Sequence, residues 1–423
     1  MLSLQLLKQD PEGAIQALTK RNIDARQDIK SLLDKNEKRR KIQNESETLK
    51  AESNKIAKII GNLVQEGETD KIQEIKIKSK YLKAELTKLE KDLIQIESEE
   101  KEILLSFPNI PHKSVKKGKG EKENEIIKSW GDLKTNPNSL PHWELSEKYK
   151  LIDFERGVKV TGAGFPVYTG KGARLQRALI QYFLDTNTES GYKEIQPPYF
   201  VNEKSSFGTG QLPDKEGQMY HIEDDQLYAI PTSEIPLTNL YRNEIINETD
   251  LPIKLTAYSP CFRREAGSYG KDVRGLNRLH QFDKVEIVHI EKQSDSYDKL
   301  HEMTSHVSKI LEELGLKYRL LRLCGGDMGF TSSMTYDFEV WSSAQERWLE
   351  VSSVSNFETF QSRRLQLRYR SLKNNEILLA HTLNGSALAL PRIMAAILEN
   401  NQSEEGIKIP EALWKYTGFK IIK

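Results

Sequence analysis

Over the first hundred residues the apolar positions recur every seven. Ile75, Leu82, Leu89, Ile96 and Ile103 form one ladder, with Leu86 and Leu93 in the intermediate slots. Ile42, Leu49, Ile56 and Leu63 form another, with the small Ser46 and Ser53 between them. Such a repeat keeps one narrow stripe facing a partner helix. Between the ladders, Gly61 and Gly67 bracket a segment suited to a tight reversal. The pattern predicts an antiparallel helical hairpin over residues 1–107. At about 1.5 Å per residue, roughly 35 residues per helix give an arm of about 50 Å. It buries little apolar area per residue, so it must project from something larger.

Pro108 and Pro111, followed by the Lys- and Gly-rich run 116–120, stop the helical pattern and predict a linker over 108–130. From 131 to 423 the texture changes. Strand-like alternation falls at 192–201, 254–265, 281–290, 335–342 and 347–354, and helical periodicity at 172–188, 294–314 and 388–400. Strands mostly following strands predict an α+β domain built on an antiparallel sheet rather than a βαβ repeat.

A chain of 423 residues exceeds one ordinary core, in keeping with two domains. Its 63 Lys and Arg nearly balance 62 Asp and Glu, which excludes a uniformly basic coat but not local basic surfaces. No apolar run approaches the length of about 18 needed to cross a membrane. The opening MLSLQLLKQDPEGA lacks the basic front and cleavage site of a secretory signal. Cys261 and Cys324 are the only thiols, so neither a disulfide framework nor a cysteine-based zinc cluster is expected, and a reducing cytoplasm is the simplest location. Phosphate-binding and dinucleotide-binding glycine loops and the G-x-S-x-G elbow are missing. Nucleotide chemistry here must use side chains on a sheet.

Charged residues occur inside the predicted strands. By period two, Arg263 and Glu265 share a face with Ala257, Ser259 and Cys261. A loop with Lys271 and Arg274 follows, and then a strand on which Phe282, Lys284 and Glu286 share one face while Val285 and Ile287 occupy the other. A hairpin over a ligand fits this, and so does an ion-pair ladder across an exposed sheet. Glu350 and Ser352 fall together on a third strand. Arg392 lies at the start of an apolar helix, where a cation opposes the dipole and favours an anionic partner. On the first long helix, Lys35, Lys38, Arg39, Arg40 and Lys41 lie off the apolar ladder, placed either to meet phosphates or simply to solvate the helix.

In order, these segments resemble the three signature motifs of class II aminoacyl-tRNA synthetases, and more closely those of bacterial-type seryl-tRNA synthetases. The run Gly191 to Val201 with Pro198 resembles motif 1, Cys261 to Glu265 the F-R-x-E of motif 2, and Gly385 to Arg392 motif 3. Gly208 to Pro213, Pro231 to Glu234, Thr335 to Trp341 and His381 to Ser386 strengthen the match, which spans essentially the whole chain. Departures are Ala387 and Ala389 in place of motif 3 glycines, and Val354 where a cysteine is expected.

The resemblance implies a class II antiparallel catalytic domain that activates L-serine with ATP and transfers it to tRNA(Ser). It implies that Arg263 holds the α-phosphate and serine carboxylate, that Glu265 accepts from the adenine amino group, and that Phe282 stacks on the ring. Arg264, Val351 and Ser352 join the ATP-binding set, Arg392 meets the far phosphates, and Glu350 with Ser353 holds Mg²⁺. Thr232, Ser233, Glu234, Glu286, Asn384 and Ser386 surround the serine. Pro198 lies at a homodimer interface, and the hairpin embraces the tRNA through Lys35, Lys38, Arg39, Arg40 and Lys41. Two other readings are a related ligase with a different acceptor, which is expected to lack the hairpin, and a non-catalytic RNA-binding coiled coil, which is expected to have lost a key side chain.

Overall fold

The computed structural model describes residues 1–66, 69–132, 138–266 and 274–423, in two compact units. Leu2–Thr19 with Ile23–Pro108 form the helical unit. Met1, Lys20–Asn22 and Asn109–Lys423 form the other.

In the helical unit the helices α1 (Leu4–Gln9) and α2 (Pro11–Thr19) precede two long ones, α3 (Arg26–Glu66) and α4 (Thr69–Ser106), which pair with each other. Ser3 caps α1 by accepting from the Leu6 amide. Ile29, Leu32, Ser46 and Ile56 are buried on α3, and Leu82, Leu89 and Ile96 on α4, so the seven-residue ladders do form the seam. Ser46 in the seam lets the helices approach where a larger residue would hold them apart. The helix runs through Gly61, which has ample space around it, to Glu66. Gly61 therefore takes no part in the reversal, because helical hydrogen bonds outweigh the entropic cost of one glycine, about 1 kcal/mol. Gly67 lies outside the described residues.

The larger unit is built on one eight-stranded sheet: β1 (Glu125–Trp130), β2 (Lys193–Glu194), β3 (Ile253–Phe262), β4 (Gln281–Glu291), β5 (Tyr318–Arg322), β6 (Met334–Ser342), β7 (Arg347–Asn356) and β8 (His381–Ala389). Their spatial order is β1-β5-β6-β7-β8-β4-β3-β2. All neighbours are antiparallel except the short β2, which lies parallel to β3. Two features differ from the sequence pattern. The stretch 108–130 contributes the edge strand β1, which alternation does not reveal because four of its six residues are exposed. The 192–201 pattern is interrupted at Pro197 and Pro198, where two missing amide donors break the ladder.

Helices Gly170–Glu189, Ser296–Glu313 and Leu390–Asn400 pack on this sheet. The second buries Leu300, Met303, Val307, Ile310 and Leu311, an i, i+3, i+7 stripe. The third is buried almost all round and enters through Pro391, whose fixed φ suits a first turn. Together with Val285, Ile287, Phe338 and Val351 these stripes make the main core. The other face of β4 buries Val288 and Ile290 in two smaller apolar clusters and carries the polar Lys284 and Glu286 nearer its start.

Candidate functional site

β4 carries Lys284 and Glu286 side by side on this second face. Both are buried, and their side chains form an ion pair. The register shift between β4 and β8 falls between these two residues, with Lys284 opposite Ala389 and Glu286 opposite Ser386. Such a bulge re-aims side chains. Glu286 also accepts from Thr232 Oγ1 at 2.7 Å and from Asn384 Nδ2 at 3.0 Å. A fully buried carboxylate is tolerable only with this density of donors.

Glu234 opens a short helix beside it and is also buried. Burial pushes its carboxyl up to about 7; Gln361 opposes the shift, Glu286 reinforces it, and Lys284 and Arg263 oppose it. Gln361, fully buried, donates to Glu234 Oε1 at 2.6 Å and to the Thr209 carbonyl at 3.1 Å, and accepts from Thr382 Oγ1 at 2.7 Å. Ser233 Oγ is buried without a hydrogen-bond partner. Thr232, Glu234, Glu286 and Asn384 thus lie together, and Ser233 stands between Thr232 and Glu234 in the chain. Lys284 and Gln361 belong to the same cluster. Sequence reasoning places Lys284 on the right face without giving it a role. Gln361 has no local signal, since it arrives from the distant helix Phe360–Leu365.

Above this cluster the Arg263 guanidinium lies over the Phe282 ring, 5.2 Å from its centroid. β3 ends at Phe262, so strand alternation does not carry Arg263 and Glu265 onto the face of Cys261. Instead the chain turns, with Glu265 in the left-handed region at φ 47°, and its carboxylate pairs with Arg278 at 3.0 Å. Arg264 is exposed, with its amide bonded to the Gln218 carbonyl. Lys271 lies outside the described residues.

On the far side, Arg392 Nη1 donates to the Glu350 carbonyl at 2.6 Å and lies 3.9 Å from its carboxylate, and Nε donates to the Asn277 carbonyl at 3.3 Å. Glu350 is exposed. Ser352 Oγ donates to the Ser386 carbonyl, tying β7 to β8. Val351 is buried in the main core, so only its backbone can meet a ligand. Ser353 is paired opposite Asp337, whose Oδ1 is buried without a partner. Burial, with Glu350 nearby, pushes the Asp337 carboxyl up. Among the described residues no three His, Cys, Asp or Glu side chains converge as a metal cage. Magnesium rarely needs one, being held by one or two carboxylates plus substrate phosphates. Glu350, Ser353 and the orphaned Asp337 oxygen offer the hard oxygen donors it takes. Val354 stands opposite Gly385, where an added Cβ would lie 3.1 Å from Val354 Cγ2.

The basic residues of α3 belong to the helical unit. Lys35 pairs with Glu99, Arg39 with Glu100 at 3.2 Å, and Lys41 with Glu37 at 2.7 Å. Lys38 and Arg40 are exposed. Pro198 is exposed beside the similarly exposed Phe200.

Comparison with known proteins gives the family. Residues 1–111 match the model of the seryl-tRNA synthetase N-terminal domain, and residues 219–401 that of the tRNA synthetase class II core domain (G, H, P, S and T). A serine--tRNA ligase from Salinibacter ruber is 49% identical over 99% of this chain and 98% of its own length. One from Methylacidiphilum infernorum is 48% identical over 98% and 99%. The crystal structure of seryl-tRNA synthetase from Pyrococcus horikoshii complexed with ATP superposes with a TM-score of 0.91 at 34% identity, covering 100% of this chain and 99% of that one. The chain belongs to the seryl-tRNA synthetase family.

Proposed function

We propose that the site divides into a buried serine pocket and a more open ATP surface, joined at Arg263, and that this division performs the family's reaction. The chain is a serine--tRNA ligase: it activates L-serine with ATP to seryl-adenylate and passes the seryl group to tRNA(Ser). In the first step a serine carboxylate oxygen attacks the α-phosphorus, a new P–O bond forms, and the bond to the β-phosphate oxygen breaks to release pyrophosphate. The carboxylate is already a competent nucleophile, so catalysis comes from positioning and from neutralising charge.

Glu286, Thr232 and Glu234 receive the serine ammonium, with Ser233, Asn384 and Ser386 completing the polar lining. A pocket built to bond a hydroxyl rejects alanine by about 10⁴ or more, and threonine would be refused by steric conflict at its extra methyl. Arg263 bridges the serine carboxylate and the α-phosphate, since its planar fork makes paired hydrogen bonds. Phe282 stacks on the adenine, Glu265 accepts from its amino group, and the adjoining Arg264 joins the ATP-binding set. Arg392 meets the outer phosphates. The backbone of Val351 and the Ser352 hydroxyl line the floor. Glu350 and Ser353 hold Mg²⁺, which when bound neutralises phosphate charge. The hairpin takes the tRNA through its basic side chains, and Pro198 lies at a homodimer face. No helix among the described residues is long and apolar enough to cross a membrane, which suits work in the cytoplasm.

The observation that carries this reading is the buried Glu286, with Thr232, Asn384 and Lys284 all directed at it. Serine-dependent exchange of pyrophosphate into ATP tests it. Arg263→Ala abolishes exchange while leaving the fold intact; normal exchange in the folded variant refutes the phosphate role. Exchange without tRNA charging in the parent enzyme supports a different acceptor, and no exchange supports a non-catalytic protein.

A further inference from the structure

Far from the serine pocket, His142 and Glu399 form a polar pair inside the core, both side chains fully buried. His142 opens the helix His142–Lys148, and Glu399 lies in the last turn of Leu390–Asn400, the helix that carries Arg392 in its first turn. His142 Nε2 accepts from the Leu276 amide at 2.8 Å, which leaves Nδ1 to donate to Glu399 Oε1 at 2.7 Å. The His142 amide donates to the same oxygen at 3.0 Å, and Ser342 donates to the other. Burial alone would raise the Glu399 carboxyl, but the bonds from His142 and Ser342 hold it below its ordinary value.

The pair reaches the site along one short limb of chain, residues 275–278, which leads back into β4. Gln345 Nε2 donates to Glu399 Oε1 at 2.9 Å, and Gln345 Oε1 accepts from Asn277 Nδ2 at 3.1 Å. The Asn277 carbonyl receives Arg392 Nε, and Arg278 holds the Glu265 carboxylate. Gly275 fits against the histidine, since a Cβ there would lie 2.2 Å from His142 Nε2. Residues 275–277 are thus held from below by the buried pair, Asn277 through Gln345, while Asn277 and Arg278 present, from above, the partners of two groups on the ATP surface.

We propose that the His142–Glu399 pair is a positioning device for the ATP half of the site, setting Arg392 and Glu265 through the 275–278 limb without touching substrate. This rests on the reading of Arg392 and Glu265 as ATP-facing. The serine pocket has no hydrogen bond to this network among the described residues, so the two substrates respond differently when the network is cut.

The test measures KM for ATP and for serine separately in pyrophosphate exchange, with melting temperature and amide hydrogen exchange over 275–279, in the full-length enzyme. His142→Ala strands a buried carboxylate and is the severe variant. Gln345→Met removes the link to Asn277 together with the Gln345 bonds to Glu399 and Arg347, leaves the His142–Glu399 bond in place, and carries the test if the first does not fold. Each is expected to raise the ATP KM by about ten- to a hundredfold, the usual cost of a misplaced group, with serine KM within about twofold and reduced amide protection over the limb. Glu399→Gln keeps the acceptor for His142 and stays near the parent. If both KM values rise together in step with reduced thermal stability, the pair is merely structural and the proposal is overturned. An unchanged ATP KM in a folded variant with reduced protection overturns it as well. Arg392→Ala, measured alongside, separates the two levels: no rise in ATP KM there removes the underlying reading and the proposal with it. A rise there, with none in the network variants, removes the proposal alone.

Discussion

Lys284 and Glu286, two residues apart on one strand, form a buried ion pair at the floor of the proposed serine pocket. Their strand spacing puts both on one face, and the bulge between them lets the ammonium fold back onto the carboxylate. Removing one member of such a pair leaves a buried charge uncompensated and costs about 3–5 kcal/mol, whereas removing both costs far less. Lys284→Met is expected to lower stability in urea unfolding by about that amount. Lys284→Met combined with Glu286→Gln recovers most of the loss while abolishing serine activation. Equal destabilisation by the single and double changes would show that the pair is not coupled.

Glu234 is expected to give the proposed serine pocket a pH dependence. Its carboxyl titrates near 7 because burial, assisted by Glu286, outweighs the opposing effects of Gln361, Lys284 and Arg263. The charged form attracts the serine ammonium, so serine KM rises as pH falls from 8 to 6 while ATP KM stays level. Stability moves the other way. A raised carboxyl contributes most below its unfolded value of about 4.5, and that contribution is lost as pH rises through about 7. Gln361→Leu removes the donor that favours the charged form and shifts the serine KM midpoint upward. A flat serine KM between pH 6 and 8 excludes Glu234 from the ammonium site.

How far these features were legible in the sequence depends on whether each is local. The seam of α3 and α4, the long helices and the strand bearing Lys284 and Glu286 all follow from periodicity, because each residue's environment is set by neighbours a few positions away. The edge strand β1 escapes detection, since an edge strand exposed on both faces has no alternation to show. Helices α1 and α2 are too short for a periodic signal, and their caps alone do not set them apart. Arg263 and Glu265 lie just past the end of β3, where period two no longer applies. Gln361 and the His142–Glu399 pair join segments far apart in the chain, and nothing local encodes that meeting.

The proposed Mg²⁺ ligands yield a further prediction. Glu350 is exposed, so removing its carboxylate has little effect on stability, while Ser353 lies beside the orphaned Asp337 oxygen. Glu350→Gln is expected to raise the Mg²⁺ concentration for half-maximal exchange by about tenfold, equivalent to about 1.4 kcal/mol, with an unchanged melting temperature. Mn²⁺ binding in the presence of ATP, followed by electron paramagnetic resonance, weakens in parallel. Unaltered Mn²⁺ binding removes Glu350 from the metal site.

The arm can be dissected by charge. Lys35 and Arg39 are engaged with Glu99 and Glu100, and Asn36 donates to Glu100 at 2.9 Å, so this layer clasps the two helices. Lys38 and Arg40 are exposed and better placed to meet phosphates. Replacing residues 40–96 by a short Gly-Ser loop keeps that clasp and brings together chain ends that already lie side by side. The shortened enzyme is expected to exchange pyrophosphate within about twofold of the parent but to charge tRNA about a hundredfold more weakly, the loss that corresponds to about 2.8 kcal/mol of tRNA binding supplied by the arm. Lys38→Glu with Arg40→Glu lowers charging more than Lys35→Gln does. It also makes the salt dependence of tRNA binding shallower, by a slope of close to one for each phosphate that is no longer neutralised. Unchanged charging by the shortened enzyme would assign the arm to another partner.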